Sequence, residues 1–341
     1  MGAEAKPGIL AATSGPAISV HGLSKAFGEI EAVRGVSFDV APGEVFGFLG
    51  PNGAGKTTTI NMLCTLASPS GGSATVAGHD VVAERDAVRR HIGLVFQDPT
   101  LDGYLTAEQN LRLHAELYGV ERSIVTPRMR QVLEMVGLWE RRSAQVLTFS
   151  GGMRRRLEIA RGLMHSPRVL FLDEPTIGLD PQTRSSIWGY IRQLQQSEEI
   201  TIFMTTHYMD EAEICGRIAI MDRGEIVALD TPEALKEQVA ADRIRIETDD
   251  DAATIEAIRE RFGLEAQLSE GAVTFAVPDG AEFVPRLFAE LGLPIRSVSV
   301  ARPTLDDVFM SYTGTTIRDA EGPGDNLANR IAMQMLSGGR R

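Results

Sequence analysis

Cysteine, basic charge and long apolar runs are all scarce in this chain of 341 residues. Only Cys64 and Cys215 occur, each without a second Cys or a His at metal-ligand spacing, which excludes a disulfide framework or a zinc site and fits a reducing compartment. Lys and Arg number 34 against 46 Asp and Glu, a formal net charge of -12. Nucleic acid is therefore not expected as a partner, because phosphate binding rests on clustered basic residues; the acidity reads as an ordinary soluble surface. No apolar stretch reaches the roughly 18 residues that a membrane-spanning helix needs. The N-terminus lacks a basic start followed by an apolar run, and Lys6 stands where a myristoylation signal requires Ser or Thr. The chain is expected neither to follow the secretory route nor to span a bilayer by itself.

With 43% hydrophobic residues, the chain can bury one large core and a smaller one, so two domains are expected. Residues 1–16 are small and aperiodic, a flexible tail. Short β-type runs follow from Ile18, and Gly55 opens a helix to about Leu66. In a helical block over about residues 98–165, Thr106 with Gln109 makes a capping box, while Thr126 and Pro127 open a helix that Gly137 closes. "RVLFLDE" and "ITIFMTT" are continuous apolar runs of the kind that parallel strands buried on both faces show, which predicts an α/β domain over 17–239. Beyond it the order strand, helix, two strands, helix, strand predicts a small ferredoxin-like α+β domain (βαββαβ) over 240–314, ending in a helix capped by Thr304 and Asp307. Residues 315–341 read as a second flexible tail, with a short amphipathic helix or a disordered end.

The strongest local signal is "GPNGAGKTT", Gly50 to Thr58, a P-loop pattern between an apolar strand and a helix. Gly50, Pro51, Asn52, Gly53, Ala54, Gly55, Lys56, Thr57 and Thr58 would wrap a triphosphate with backbone N–H groups at the positive end of a helix. Lys56 would reach the β- and γ-phosphates, and the Thr57 hydroxyl would ligate Mg2+. "VLFLDEPT" adds Asp173 to hold Mg2+ and Glu174 to polarise the attacking water, two neighbours that strand alternation aims in different directions. "FSGGMRRRLEIAR" adds a second glycine-rich helix start. There Ser150 is a good N-cap, and Met153, Leu157, Ala160 and Met164 form a buried stripe that leaves Arg154, Arg155 and Arg156 mostly on the other faces. Ser150, Gly151 and Gly152 offer a second set of exposed N–H groups to an anion.

These motifs, with a glutamine in "VFQDPTL" and the run "MTTHYMDEAE", resemble in order and spacing the nucleotide-binding subunit of an ABC transporter over about residues 17–235. The resemblance implies a P-loop NTPase fold, ATP and Mg2+ as ligands, and two subunits packed head to tail. The Ser150–Gly151–Gly152 segment of one would then close on the γ-phosphate held by the other. It further implies adenine stacking for Phe27, contact of Gln97 with Mg2+, the attacking water and the membrane partner, a link between the two sites for Asp180, and γ-phosphate contact for His207. The commonest signature has Leu and Gln where this chain has Phe149 and Met153. A narrower likeness, carried by "SGGMRRRLEIARGLMHSPRVLFLDEPTIGLDPQTR" and "PTLDDVFMSYTG", is to the daunorubicin-resistance type. It implies export of drug-like or lipid-like compounds through separately encoded ABC-2 type membrane subunits, as a homodimer or heterodimer on the cytoplasmic face of the membrane. Two other roles stand beside this one. A soluble ABC-type ATPase of DNA repair or translation is disfavoured, because the motifs occur once and leave no room for a coiled coil. A ligand-binding regulatory role for the βαββαβ domain rests on its fold pattern alone.

Overall fold

The computed structural model describes residues 15–239, 241–269 and 271–314, so most of the two expected tails lies outside the described residues. Residues up to Leu229 form one compact unit and those from Asp230 another. In chain order the first holds β1 (Ile18–Phe27), β2 (Ile30–Val40), β3 (Val45–Leu49), α1 (Lys56–Leu63), β4 (Gly71–Val76), β5 (His79–Asp80), α2 (Arg85–His91), β6 (Ile92–Val95), α3 (Ala107–Leu117), α4 (Arg122–Met135), α5 (Gly151–Gly162), β7 (Val169–Asp173), α6 (Pro181–Glu198), β8 (Thr201–Thr206), α7 (Met209–Ala212), β9 (Arg217–Asp222) and β10 (Glu225–Asp230).

The strands form two sheets, one ordered β2-β1-β4-β5 and one ordered β10-β9-β3-β8-β7-β6. In the larger sheet β9, β3, β8, β7 and β6 run parallel. Its central strands are buried along their whole length, which is why they read as unbroken apolar runs. Between the sheets lies a phenylalanine cluster: Phe38, Phe46, Phe48, Phe171 and Phe203, with ring centroids 4.9–5.9 Å apart. Few aromatics are present, and this core concentrates them where large rings fix the spacing of the layers.

Two helix limits differ from the sequence reading. α1 stops at Leu63, because Thr65 turns left-handed at φ 63° and Leu66 N–H closes onto Asn61 O at 2.8 Å. α4 begins at Arg122, so Pro127 is inside it instead of at its first position. The proline removes one bond, to the carbonyl of Ser123, close enough to the helix start for the helix to continue. The expected end holds: Gly137 is left-handed at φ 66°, and Leu138 N–H reaches Leu133 O at 2.8 Å. The Thr106–Gln109 capping box on α3 is present on both sides.

The second unit comprises α8 (Pro232–Val239), β11 (Asp242–Thr248), α9 (Asp251–Phe262), β12 (Ala266–Ser269), β13 (Ala272–Val277), α10 (Gly280–Glu290), β14 (Ile295–Ala301) and α11 (Leu305–Thr313). It starts ahead of the Val239 limit read from composition, because α8 packs on α11. Its antiparallel sheet has the order β12-β13-β11-β14, the ferredoxin-like arrangement. Ile244, Ile246, Val273, Phe275 and Val277 bury one sheet face against Ile258 of α9, Leu287 of α10 and Leu291 just after it. Thr304 and Asp307 cap α11 reciprocally.

Candidate active site

Parallel strands deliver whatever follows their carboxyl ends to one edge of the sheet, the place where open α/β sheets bind ligands. The adjacent strands β3, β8, β7 and β6 are followed by the Gly50 loop, by His207, by Glu174 and by Gln97. Residues spread over much of the chain therefore meet at one place.

The Gly50–Thr58 loop is held by its own backbone packing. A Cβ on Gly50 would lie 2.2 Å from Met221 O, and one on Gly55, at φ 107°, would lie 2.5 Å from Ala32 O. Gly53 is also left-handed, at φ 83°. Pro51, Ala54 and Lys56 are buried, Thr58 is half-buried, and Asn52, Gly53 and Thr57 are exposed. Lys56 Nζ turns into the loop, donating to Gly50 O at 2.6 Å and Pro51 O at 3.0 Å, and lies 3.6 Å from Glu174 Oε1. The first turn of α1 has no side-chain cap at Gly55, an arrangement that suits an anion at a helix start.

Asp173 and Glu174 are neighbours with opposite electrostatics. Asp173 Oδ1 accepts from Thr205 Oγ1 at 2.6 Å and Thr57 Oγ1 at 3.2 Å. Burial nevertheless lifts its pKa above the ordinary aspartate value, against those two bonds. At Glu174 burial also pushes upward, but the facing His207 and Lys56 outweigh it and hold the carboxyl below the ordinary glutamate range. Glu174 Oε2 accepts from Gln97 Nε2 at 3.3 Å, and Oε1 lies 3.5 Å from His207 Nδ1, an ion-pair distance and not a hydrogen bond. The Glu174 backbone is left-handed at φ 45°, a strain of about 1–3 kcal/mol that only surrounding contacts can maintain. Its N–H donates to Thr205 Oγ1 at 3.0 Å.

The donor set suits a hard cation. Among the described residues no group of three or more His, Cys, Asp or Glu could hold a metal. A hydroxyl and a carboxylate, Thr57 and Asp173, with the Gln97 amide nearby, suit Mg2+, which keeps water and takes its remaining oxygens from phosphates. A buried carboxylate whose charge lacks full compensation is where such an ion lowers the energy most.

The second glycine-rich helix start is capped as read: Ser150 Oγ accepts from Met153 N at 3.3 Å. Its two glycines differ. A Cβ on exposed Gly151 would meet only Leu179 Cδ2, at 3.6 Å, whereas one on buried Gly152 would come within 2.3 Å of Thr183 Cγ2. Thr183 is fixed by Asp180, which caps α6 through bonds from Thr183 N at 3.0 Å and Oγ1 at 2.6 Å. Phe27, half-buried at the end of β1, carries Lys25 Nζ 4.9 Å above its ring.

One reading is corrected. Arg154, Arg155 and Arg156 are not all off the buried face of α5. Arg154 Nε donates to Phe149 O at 3.1 Å, and Arg156 Nη1 donates to Val136 O at 2.9 Å and Tyr190 Oη at 3.2 Å. Arg155 is buried, because it lies in line with Gly152 and Ile159 on the inner face of α5. The sequence reading also missed Thr205, whose hydroxyl ties Asp173 to the Glu174 backbone, and buried Glu211. Glu211 accepts from Thr176 Oγ1, and from Thr206 Oγ1 at 2.6 Å.

The chain is similar to known proteins along most of its length. The ABC transporter family matches residues 33–177, and the family described as "ATP-binding protein DrrA1-3-like, C-terminal domain" matches residues 231–313. The daunorubicin/doxorubicin resistance ATP-binding protein DrrA of Streptomyces peucetius is 40% identical, covering 87% of this chain and 92% of that protein. The linearmycin resistance ATP-binding protein LnrL of Bacillus subtilis is 36% identical, over 89% of this chain and 100% of that one. A solved ATP-binding cassette, MJ0796, a dimer in a post-hydrolysis state with ADP and Pi, superposes with a TM-score of 0.57 at 27% identity, covering 63% of this chain and 98% of its own. The chain thus belongs to the ATP-binding, ATP-hydrolysing subunits of ABC transporters and, through its C-terminal domain, to their daunorubicin-resistance type.

Proposed function

We propose that this ATPase powers export of a drug-like or lipid-like compound through a separate ABC-2 type membrane subunit, on whose cytoplasmic side two ATPase subunits pack head to tail. The observation that carries the reading is the convergence of Lys56, Gln97 and His207 on the ionised Glu174. Lys56 exchanges its loop carbonyls for the β- and γ-phosphates, a stronger charge-assisted pairing. Glu174 accepts the proton of the attacking water, Gln97 orients that water, and His207 contacts the γ-phosphate. Phe27 stacks on adenine. Thr57, Asp173 and Gln97 would hold Mg2+, which would supply positive charge beside the phosphates. Ser150, Gly151 and Gly152 present N–H groups to the partner copy's γ-phosphate, and Asp180 lies between the two sites.

Support for a membrane partner comes from two sides. Among the described residues no helix is long and apolar enough to cross a membrane. Beyond Gln97 the chain exposes Tyr104 (81%) and, bonded back beside it, Leu147 (63%), apolar surface of the kind a partner covers. The named relatives of the S. peucetius and B. subtilis type are resistance proteins, in line with a drug-like cargo. Trapping Glu174→Gln with ATP and Mg2+ and identifying what co-purifies from solubilised membranes tests this. A stoichiometric polytopic protein is expected; ribosomes or DNA-processing proteins in its place would contradict it.

A further inference from the structure

Arg155 makes five side-chain hydrogen bonds, and their targets are specific. Its Nε donates to Pro175 O at 2.6 Å, and Nη2 donates to Asp173 O at 3.1 Å and Glu174 O at 3.2 Å. Nη1 donates to Phe96 O, and to Glu158 Oε2 at 3.0 Å. Glu158, equally buried, uses its other oxygen to accept from Thr100 N at 2.8 Å. One side of this ion pair therefore holds three successive carbonyls around the left-handed Glu174. The other side holds both ends of the segment 96–100 that carries Gln97.

We propose that Arg155 is a positioning residue for hydrolysis: with Glu158 it clamps the Gln97 segment to the Glu174 backbone, so that movement of one is felt by the other. The inference rests on the reading of Glu174 as the water-polarising carboxylate. A planar guanidinium is suited to the task, because its five donors lie in one plane and fan out to several carbonyls, whereas a lysine ammonium has three donors on one atom. Main-chain carbonyls at 173–175 accept from Arg155 and leave the Asp173 and Glu174 side chains free for other partners. A displacement of the Glu174 carboxylate by about 1 Å is enough to cost on the order of a hundredfold in rate, without touching the groups that bind ATP.

The test uses the full chain with Arg155→Met, Arg155→Lys, Glu158→Gln and Glu174→Gln, measuring kcat and KM for ATP, Tm, and hydrogen exchange at the Thr100 amide. Arg155→Met is expected to lower kcat at least about tenfold with KM within about twofold, a loss confined to the transition state. Arg155→Lys should recover part of it, and Glu158→Gln should speed Thr100 exchange. Normal kcat in a folded Arg155→Met overturns the proposal. So does a loss that disappears when variants are compared at equal distances below their Tm values. If Arg155→Met does not fold, Arg155→Lys decides by the same criteria. Should Glu174→Gln hydrolyse ATP normally, the reading of the site itself fails, an outcome separate from a silent Arg155.

Discussion

The two glycine-rich helix starts, at α1 and at α5, look alike in sequence and differ in build. At α1 the glycines are required by the chain's own backbone: Gly50 against Met221 O, Gly55 against Ala32 O. A buried lysine is folded into the loop, and the carboxylates of Asp173 and Glu174 stand beside it. At α5 the start is exposed apart from Gly152, and its cap, from Ser150 to Met153, is local. The first loop has its buried lysine and both carboxylates beside it within one chain. The second is a surface of N–H groups with room at Gly151 and no basic side chain in its first turn before Arg154. That difference is what two copies meeting head to tail would need, each contributing what the other lacks.

The largest effect should follow from removing the proposed base beside the first loop. Glu174→Gln is expected to reduce turnover by about 10²–10⁴-fold, the range for a positioned general base, while ATP still binds. Near-normal ATPase activity in the assembled transporter would break the contrast at its better-defined end. Next comes Lys56→Ala: hydrogen bonds to charged groups are worth about 1.5–3 kcal/mol each, so ATP affinity should drop by roughly 10–100-fold in direct titration. Unchanged affinity would remove Lys56 from the phosphate site.

A finer comparison separates the two glycines of the second start. Gly152→Ala forces its new methyl onto Thr183, which cannot rotate without losing its bond to Asp180. Overpacking of this kind costs about 1–3 kcal/mol, so Tm should fall by about 2–4 °C per kcal/mol in a domain of this size. Gly151→Ala meets only an ordinary contact with Leu179; its Tm should hold while ATP hydrolysis falls. Equal Tm losses for both would mean that Gly151 serves the fold as well.

The effect that is smallest at neutral pH lies away from both loops. His114 on α3 lies tilted against Tyr118, with ring centroids 4.5 Å apart, and His165 lies 5.6 Å away. Burial, then Arg161 and His165, draw the His114 pKa down from 6.5 to about 3. Burial also lowers that of His165. The unfolded chain thus binds protons that the folded chain refuses, and stability is lost as pH falls below 6.5 toward 3. The slope is at most about 1.4 kcal/mol per pH unit from His114. His114→Phe should flatten the acid side of a Tm-against-pH curve and leave ATP affinity alone; an unaltered slope would place the proton uptake elsewhere.

Much of this was legible in the sequence because it is local. The P-loop spacing, the Asp173–Glu174 pair after an apolar strand, both capping boxes and the βαββαβ order depend on neighbours a few residues apart. Arg155 was not legible as a buried group, since a charged residue in an arginine run reads as solvated and its partners are carbonyls from distant segments. A signal existed nonetheless: Gly152 and Ile159 lie three residues before and four after it, on the helix face that is buried, and Glu158 stands three residues on. Gly152 has a second reason to be glycine that the sequence did not show, because Thr183 of another helix stands where its Cβ would be. The start of α4 was misplaced because proline was read as a first-turn residue, a frequent position but not a required one.

The most direct test of the two unlike helix starts is subunit complementation. Dimers pairing one Ser150→Phe copy with one Lys56→Ala copy contain a single intact composite site, formed by the Lys56 loop of the first and the Ser150 start of the second. The account predicts ATP turnover well above that of either variant alone. Mixed dimers as inactive as the separate variants would contradict it, and would mean that each site is built from one chain.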